Sequence, residues 1–163
     1  MATPRYPRTE YKGLTPDFIT SCHTHQYRVF ERPHFREQLL PLLREQSNGC
    51  QVVIWTDEEK RNMVPVLDEL FGHPQRIMLK LGRRDLAKAE GGRLRFDLDR
   101  LWSKPKALEQ GFDGRNTLFI ACESKATMVK QQKNVITVSD YLATKRQSDN
   151  ELLHLTRKLQ SIM

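Results

Sequence analysis

The 163-residue sequence contains few cysteines and no long apolar run, and these shortages exclude several classes of protein. Its cysteines, Cys22, Cys50 and Cys122, are too scattered to form a disulfide framework, and no CxxC pair is present. We therefore expect a reducing compartment. No apolar stretch approaches the roughly 20 residues of a membrane-spanning helix, and the first residues lack the pattern of a secretory signal. We expect a soluble protein without a membrane span.

The composition predicts a small globular domain with an excess of positive charge. Hydrophobic residues make up 38% of the chain and charged residues 29%. The formal net charge is +7 and the pI is about 9.5. Lys and Arg bind nucleic acids by neutralising phosphates and releasing counterions, so the charge favours a polyanionic partner. A basic surface also serves solubility, and both interpretations stay open.

Alternating strand and helix patterns predict an α/β fold, built as a three-layer sandwich around a mostly parallel sheet. Residues 1–17 show no helical or strand period and are predicted to form an extended N-terminal arm, with one domain over 18–163. The predicted strands are Tyr27–Phe30, Gln51–Trp55, Ile77–Leu81, Leu94–Asp97, Thr117–Ala121 and Val135–Val138. A helix is predicted after Arg32, with a bend at Pro41. A final helix, which Asp149 can cap, is predicted from the helical spacing of Leu152, Leu155, Leu159 and Ile162.

One βα unit is predicted in more detail. The apolar run Gln51–Trp55 is typical of a strand that is buried on both faces of a parallel sheet. Thr56 and Glu59 have the spacing of a capping box, and the following helix should run to Phe71 and stop at Gly72.

Six short segments resemble, in order, the motifs of one family, the carboxy-terminal-domain phosphatases (NLI-interacting-factor-like) of the haloacid dehalogenase superfamily. They are Val29–Pro33, Val52–Thr56, Val64–Leu70, Phe96–Leu101, Asn134–Val138 and Ser148–Leu153. The resemblance covers about residues 11–160. It implies a haloacid-dehalogenase-like fold.

The same resemblance implies that the catalytic residues of the family are absent. Its reaction uses an Asp nucleophile, a second Asp two residues later and a magnesium ion. When Phe18–Ser21 is aligned with the end of the first motif, Gly13 stands at the nucleophile and Thr15 at the acid/base position. Of the remaining positions, Phe96 replaces the phosphate-binding Lys, Cys122 and Glu123 replace the metal-binding Asp-Asn, and only Thr56 is retained. We therefore expect no enzyme activity, no metal and no cofactor.

Four other places in the sequence are less favoured candidates for a catalytic or metal site. Asp97-Leu98-Asp99 has the Asp-x-Asp spacing of the nucleophile, but we interpret it as a carboxylate pair at a helix start. Asp17 is a candidate for a displaced nucleophile. The segment Cys22–His25 offers zinc ligands but lacks a full set of four, and a polar loop between two strands is favoured. Cys122 has no His near it in sequence and is read as a small buried residue.

A basic stretch is the best candidate for a contact face. Between Arg76 and Lys106 there are ten Lys or Arg and four Asp or Glu. The candidate binding residues, which surround Gly91-Gly92 and continue beyond it, are Arg83, Arg84, Lys88, Arg93, Arg95, Lys104 and Lys106. A hairpin here could present guanidinium groups to phosphates. A solvated loop is the alternative.

We expect an inactive phosphatase-like domain that acts as a structural subunit of a larger assembly, with protein partners and the RNA backbone as contacts and no small-molecule substrate. A ribonucleoprotein such as a mitochondrial ribosome would suit it. The mitochondrial location is implied by the resemblance, because an inactive member of the family serves the mitochondrial import translocase as a presequence receptor. Otherwise the location is cytoplasmic or nuclear. The alternatives are a presequence-receptor-like role in mitochondrial import and an active phosphatase with a displaced nucleophile.

Overall fold

The computed structural model describes residues 11–22, 25–44, 50–72 and 77–162 and shows an α/β fold of helices and short strands. These residues form two compact units. The first contains the described residues up to Leu81 together with those from Tyr141 onward, and the second contains Gly82–Asp140. In these ranges, no helix is both long enough and apolar enough to cross a membrane.

The first unit begins with an antiparallel hairpin. Its strands are β1, Phe18–Cys22, and β2, His25–Val29, with Phe18 opposite Val29 and Cys22 opposite His25. Side chains of β1 alternate between exposed and more buried positions, as expected for a strand with one face on a core. The predicted strand Tyr27–Phe30 thus lies mostly in β2. Cys22 and Val29 pack with Tyr27 and Val66 in one hydrophobic cluster.

The predicted βα unit is present, but its helix begins later than expected. Strand β3, Val52–Trp55, pairs in parallel with β4, Ile77–Leu81, and α2, Lys60–Phe71, joins them. The capping box was wrong, because Glu59 occupies the N-cap position and the Thr56 hydroxyl accepts the Glu58 N–H at 3.1 Å. The predicted stop at Gly72, which has φ 70°, is confirmed. The residues of β3 are only half-buried, unlike the fully buried strand predicted.

The helix predicted after Arg32 consists of two parts. Phe35–Leu39 forms a π-helical turn, and α1, Leu40–Arg44, continues from it. His34, just before the turn, has φ 65°, an uncommon conformation for a residue with a side chain. Pro41 cannot donate a backbone hydrogen bond and crowds the preceding turn. We attribute the wide turn before α1 to Pro41, which was predicted to bend this helix.

The C-terminal segment completes the first unit. Helix α6, Glu151–Gln160, buries Leu152, Leu155 and Leu159, as its spacing predicted, whereas Ile162 lies beyond the helix and is exposed. Tyr141 belongs to a second cluster with Tyr11, Phe30 and Ala143, and its hydroxyl donates to the Glu31 carbonyl at 2.9 Å. Tyr11 falls within the predicted arm 1–17 and packs on this core, while residues 1–10 lie outside the described ranges.

A buried ion pair also joins the C-terminal segment to the rest of the first unit. Arg32 Nε lies 3.0 Å from both carboxylate oxygens of Asp149, and the two side chains are 11% and 9% exposed. The Asp149 carboxylate also accepts the Glu151 N–H at 3.1 Å and so satisfies a donor at the start of α6, although Asn150 and not Asp149 occupies the N-cap position.

The second unit contains two small two-stranded sheets and short helices. Its elements are β5 (Ala87–Lys88), β6 (Leu94–Arg95), α3 (Leu98–Trp102), α4 (Pro105–Glu109), β7 (Phe119–Cys122), α5 (Glu123–Ala126) and β8 (Val135–Val138). Strands β5 and β6 are antiparallel, and β7 and β8 are parallel with Phe119 opposite Val135. Three predicted strands therefore have counterparts here, although β6 is shorter than the predicted Leu94–Asp97.

Candidate functional site

The positions that the resemblance assigns to catalysis fall in both units. Gly13, Thr15 and Thr56 belong to the first. Gly13 has φ 92°, a backbone conformation that strains any residue with a Cβ atom, so an Asp nucleophile would fit this turn poorly. Thr15 is exposed. Thr56 follows β3, where its N–H donates to the Leu81 carbonyl at 3.1 Å and its hydroxyl accepts the Glu58 N–H.

Phe96 occupies a packed position in the second unit. It is 3% exposed, and its ring centroid lies 5.1 Å from that of Phe119. Its N–H donates to the Met128 carbonyl and its carbonyl accepts the Lys130 N–H, both at 2.9 Å. The position to which the resemblance assigns a phosphate-binding Lys is therefore an apolar core position.

The carboxyl ends of β7 and β8 carry a small polar cluster. Cys122 Sγ lies 3.5 Å from Ser124 Oγ, which donates to Asp140 Oδ1 at 2.7 Å. The Ser124 N–H donates to the other oxygen of Asp140 at 3.2 Å, and Glu123 is exposed. Sequence reasoning missed Asp140, although it stands two residues after a predicted parallel strand, where functional residues of such sheets gather.

The family's magnesium ion does not fit the residues at these positions. Magnesium requires oxygen ligands, usually carboxylates and waters. Gly13 offers no side chain and Cys122 offers a thiol, which leaves only the exposed Glu123. Within the described ranges, no group of three or more His, Cys, Asp or Glu side chains could hold a metal ion.

Asp97 and Asp99 stand at the start of α3, as interpreted from the sequence. Asp97 is the N-cap, and its Oδ1 accepts the Asp99 N–H at 3.2 Å and Gln131 Nε2 at 2.9 Å. Lys130 Nζ lies 2.7 Å from Asp99 and 3.3 Å from Asp97. Burial acts to raise the pKa of Asp97, but the hydrogen bonds from Gln131, Lys130 and the Asp99 N–H outweigh it and lower this pKa. The pair has a structural role at the helix start.

Asp17 lines a cleft of about 500 Å³ in the first unit. The cleft residues are Asp17, Glu31, Arg32, Pro33, His34, Arg36, Glu37 and Arg146. Arg146 donates to both carboxylate oxygens of Asp17, at 2.7 and 2.9 Å, and the Glu31 N–H donates to one of them at 2.8 Å. The hydrogen bond to Asp17 raises the pKa of Arg146. Because an arginine holds both oxygens, Asp17 is poorly arranged to attack a phosphate.

In a second ion pair of the cleft, an arginine again holds both oxygens of a carboxylate. Arg36 Nη2 and Nε lie 2.6 to 3.0 Å from the carboxylate of Glu31, whose side chain is 8% exposed. The hydrogen bond to Glu31 raises the pKa of Arg36. Asp17 with Arg146 and Glu31 with Arg36 are therefore already paired in the cleft. The first pair joins residues far apart in the chain and could not have been found by inspecting the sequence.

The candidate zinc ligand Cys22 is already engaged in the first unit. It is 4% exposed, and its thiol donates to the Arg61 carbonyl at 2.8 Å. His23 and the side chain of His25 lie outside what the structure describes, so the zinc alternative stays a prediction.

The second unit contains the hairpin that was predicted around Gly91-Gly92. We call residues Arg83–Arg95 the basic hairpin; it comprises a 3-10 turn at Arg83–Asp85, strand β5, a turn at Glu90–Gly92 and strand β6. Gly91 and Gly92 have φ 71° and 75°, which explains the two glycines at the tip. Arg100 Nη1 donates to the Leu86 carbonyl at 2.7 Å and so attaches the base of the hairpin to α3.

Most cations of the basic hairpin are available for a partner. Arg83, Lys88 and Arg93 are exposed, and no acidic side chain of the described residues pairs with them. Arg95 is partly buried, and its Nε is shielded from solvent without a hydrogen-bond partner among the described residues. Arg84 is also exposed, but it has a partner within the chain.

The two cations predicted to extend this face differ from each other. Lys104 Nζ lies 2.7 Å from Asp85, so its charge is largely neutralised. Lys106 is exposed in the first turn of α4. The structure thus brings the hairpin cations into one element and commits one of the two later lysines to an internal ion pair.

Comparison with known families agrees with this arrangement of motifs. A sequence model of the family described as NLI interacting factor-like phosphatase matches residues 6–163. The chain therefore belongs to that phosphatase family. A search among curated proteins found no match to the chain.

Proposed function

We propose that this chain is a catalytically inactive member of its phosphatase family and serves as a structural subunit of an RNA-containing assembly such as a mitochondrial ribosome. The absence of catalysis is inferred from several positions. Gly13, Thr15, Phe96 and Cys122 offer no carboxylate or amine where the reaction needs them, and Asp17 is occupied by Arg146. We also infer the three-layer, haloacid-dehalogenase-like arrangement from the family.

The observation that supports an RNA partner is that three exposed cations of the basic hairpin form no ion pair with the described residues. Elsewhere in the second unit, Lys104, Arg115 and Lys130 each form an ion pair with a carboxylate, whereas the exposed Lys106 does not pair with an acidic side chain of the described residues. Arg83, Lys88 and Arg93 lack such a partner among the described residues. Unpaired cations on one exposed element release counterions when phosphates bind, which favours association with a nucleic acid backbone.

The test is purification of the tagged protein from its native cells, with and without ribonuclease, followed by identification of what is recovered. We expect ribosomal proteins and RNA, with the yield reduced by ribonuclease and by the triple variant Arg83→Gln/Lys88→Gln/Arg93→Gln. A matched control removes three exposed cations from the helices of the first unit, as Lys60→Gln/Arg61→Gln/Arg157→Gln. This control should keep the yield, because it lowers the net charge equally without touching the hairpin.

Three results would contradict the proposal. Recovery of import-channel proteins without RNA would favour the presequence-receptor role. Magnesium-dependent hydrolysis of p-nitrophenyl phosphate that the variant Asp17→Asn abolishes would favour an active phosphatase with a displaced nucleophile. If both triple variants reduce the yield equally, overall charge rather than the hairpin would be responsible.

A further inference from the structure

We infer that the basic hairpin binds the backbone of double-stranded RNA rather than a single strand, an inference that rests on the proposed function. Proteins that bind single strands usually combine positive charge with exposed aromatic side chains on which the bases stack. Double-stranded RNA is bound mainly through its phosphates and 2′-hydroxyls, because its deep major groove hides the base edges. The two modes therefore need different surfaces.

The hairpin has the charge but no stacking surface. Its residues Arg83–Arg95 include no aromatic side chain, and the next residue, Phe96, is 3% exposed and packs against Phe119. All residues of the second unit are described, and its other aromatic residues, Trp102 and Phe112, are only partly exposed. The indole N–H of Trp102 also donates to the Thr117 hydroxyl at 3.0 Å, which holds the ring in place.

The cations themselves also suit a rigid target. Lys88 lies in β5, Arg93 stands directly before β6, which pairs with β5, and Arg83 lies in the turn before β5. Arg100 of α3 holds the Leu86 carbonyl between that turn and β5, so the fold constrains the backbone positions of the three cations. A duplex offers phosphates in fixed positions and at high density, whereas a single strand must lose conformational freedom to match them. Without stacking to offset that loss, the duplex should bind more tightly.

Arg95 is partly buried, and its Nε is shielded from solvent. A phosphate cannot reach this N–H, so the proposed contacts come from Arg83, Lys88 and Arg93. Because the contacts are to the backbone, binding should not depend on base sequence.

The experiment measures binding of the full chain to a labelled RNA duplex of about 16 base pairs, the length that double-stranded RNA-binding domains span, and to each strand alone. We expect the duplex to bind about tenfold more tightly than either strand, because stacking is absent. A duplex of shuffled sequence should bind equally well. The logarithm of affinity should fall with the logarithm of salt concentration with a slope of about −3, as about three phosphate contacts imply.

Variants identify the contact. Each of Arg83→Gln, Lys88→Gln and Arg93→Gln should reduce the slope for the duplex by about 1, whereas the exposed control Arg157→Gln on α6 should leave it unchanged. Single strands that bind as tightly as the duplex, with hairpin variants weakening both, would overturn this inference and leave the proposed function standing. Absence of binding to either RNA would overturn both.

Discussion

The buried ion pair between Arg32 and Asp149 leads to a quantitative prediction about stability. Replacing Arg32 by Met leaves the Asp149 carboxylate, 9% exposed, without the cation that lies 3.0 Å from both of its oxygens. Removing one partner of a buried pair typically costs about 3–5 kcal/mol, because the remaining charge is desolvated and unpaired. We expect the free energy of unfolding of the first unit to fall by about that amount.

The assay is urea unfolding followed by circular dichroism, with the single variants Arg32→Met and Asp149→Leu and the double variant. Replacement of both partners by apolar residues removes the unpaired charge, so the double variant should be more stable than the sum of the single losses predicts. Arg157→Gln, an exposed arginine on α6, is the control and should change stability little. A loss below about 1 kcal/mol in Arg32→Met, or full additivity in the double variant, would refute the argument.

Two further predictions concern hydrogen bonds in the two units. Tyr141→Phe removes the hydroxyl that donates to the Glu31 carbonyl. The free energy of unfolding in urea should therefore fall by about 1 kcal/mol. An unchanged urea midpoint would contradict this prediction. Asp97→Asn tests the lowered pKa of Asp97: its carboxylate stabilises the folded state above the ordinary carboxyl pKa of 3.8, and this contribution is lost as pH falls below that value. The stability difference between the parent and Asp97→Asn should therefore be present at pH 7 and shrink below about pH 4, and a difference independent of pH would exclude this origin.

Short-range patterns in the sequence predicted most of the elements well. The strands Ile77–Leu81 and Val135–Val138 were predicted with the bounds that the structure shows. Their apolar runs are bounded by polar or turn residues, so local signals were sufficient. The buried leucines of α6 followed from helical spacing in the same way.

Predictions that depended on competing local contacts were less accurate. Thr56 and Glu59 have the spacing of a capping box, yet the Thr56 hydroxyl accepts the Glu58 N–H, and the helix begins one residue after Glu59. Both arrangements satisfy a backbone donor near a helix start, and the sequence does not distinguish them. The π-helical turn before Pro41 likewise depends on packing against neighbouring residues, which the local sequence does not show.

The candidate sites show the same difference between local patterns, which the sequence displays, and long-range contacts, which it does not. A cluster of cations around two glycines is visible in the sequence, and so the basic hairpin was predicted. The cleft of the first unit was not, because it depends on ion pairs between residues far apart in the chain, such as Asp17 with Arg146 and Arg32 with Asp149. Charges of opposite sign are common throughout this sequence, and only the fold selects which of them meet.

The division of the first unit between the two ends of the chain has a consequence for synthesis on the ribosome. Its core needs Tyr141, and its buried ion pair needs Asp149, so this unit is incomplete until the last part of the chain has been made. The second unit is continuous from Gly82 to Asp140, and it is translated in full before the first can close. Domains generally fold as units while the chain grows. All residues of the basic hairpin, for which RNA binding is proposed, are therefore made before the segment that completes the first unit.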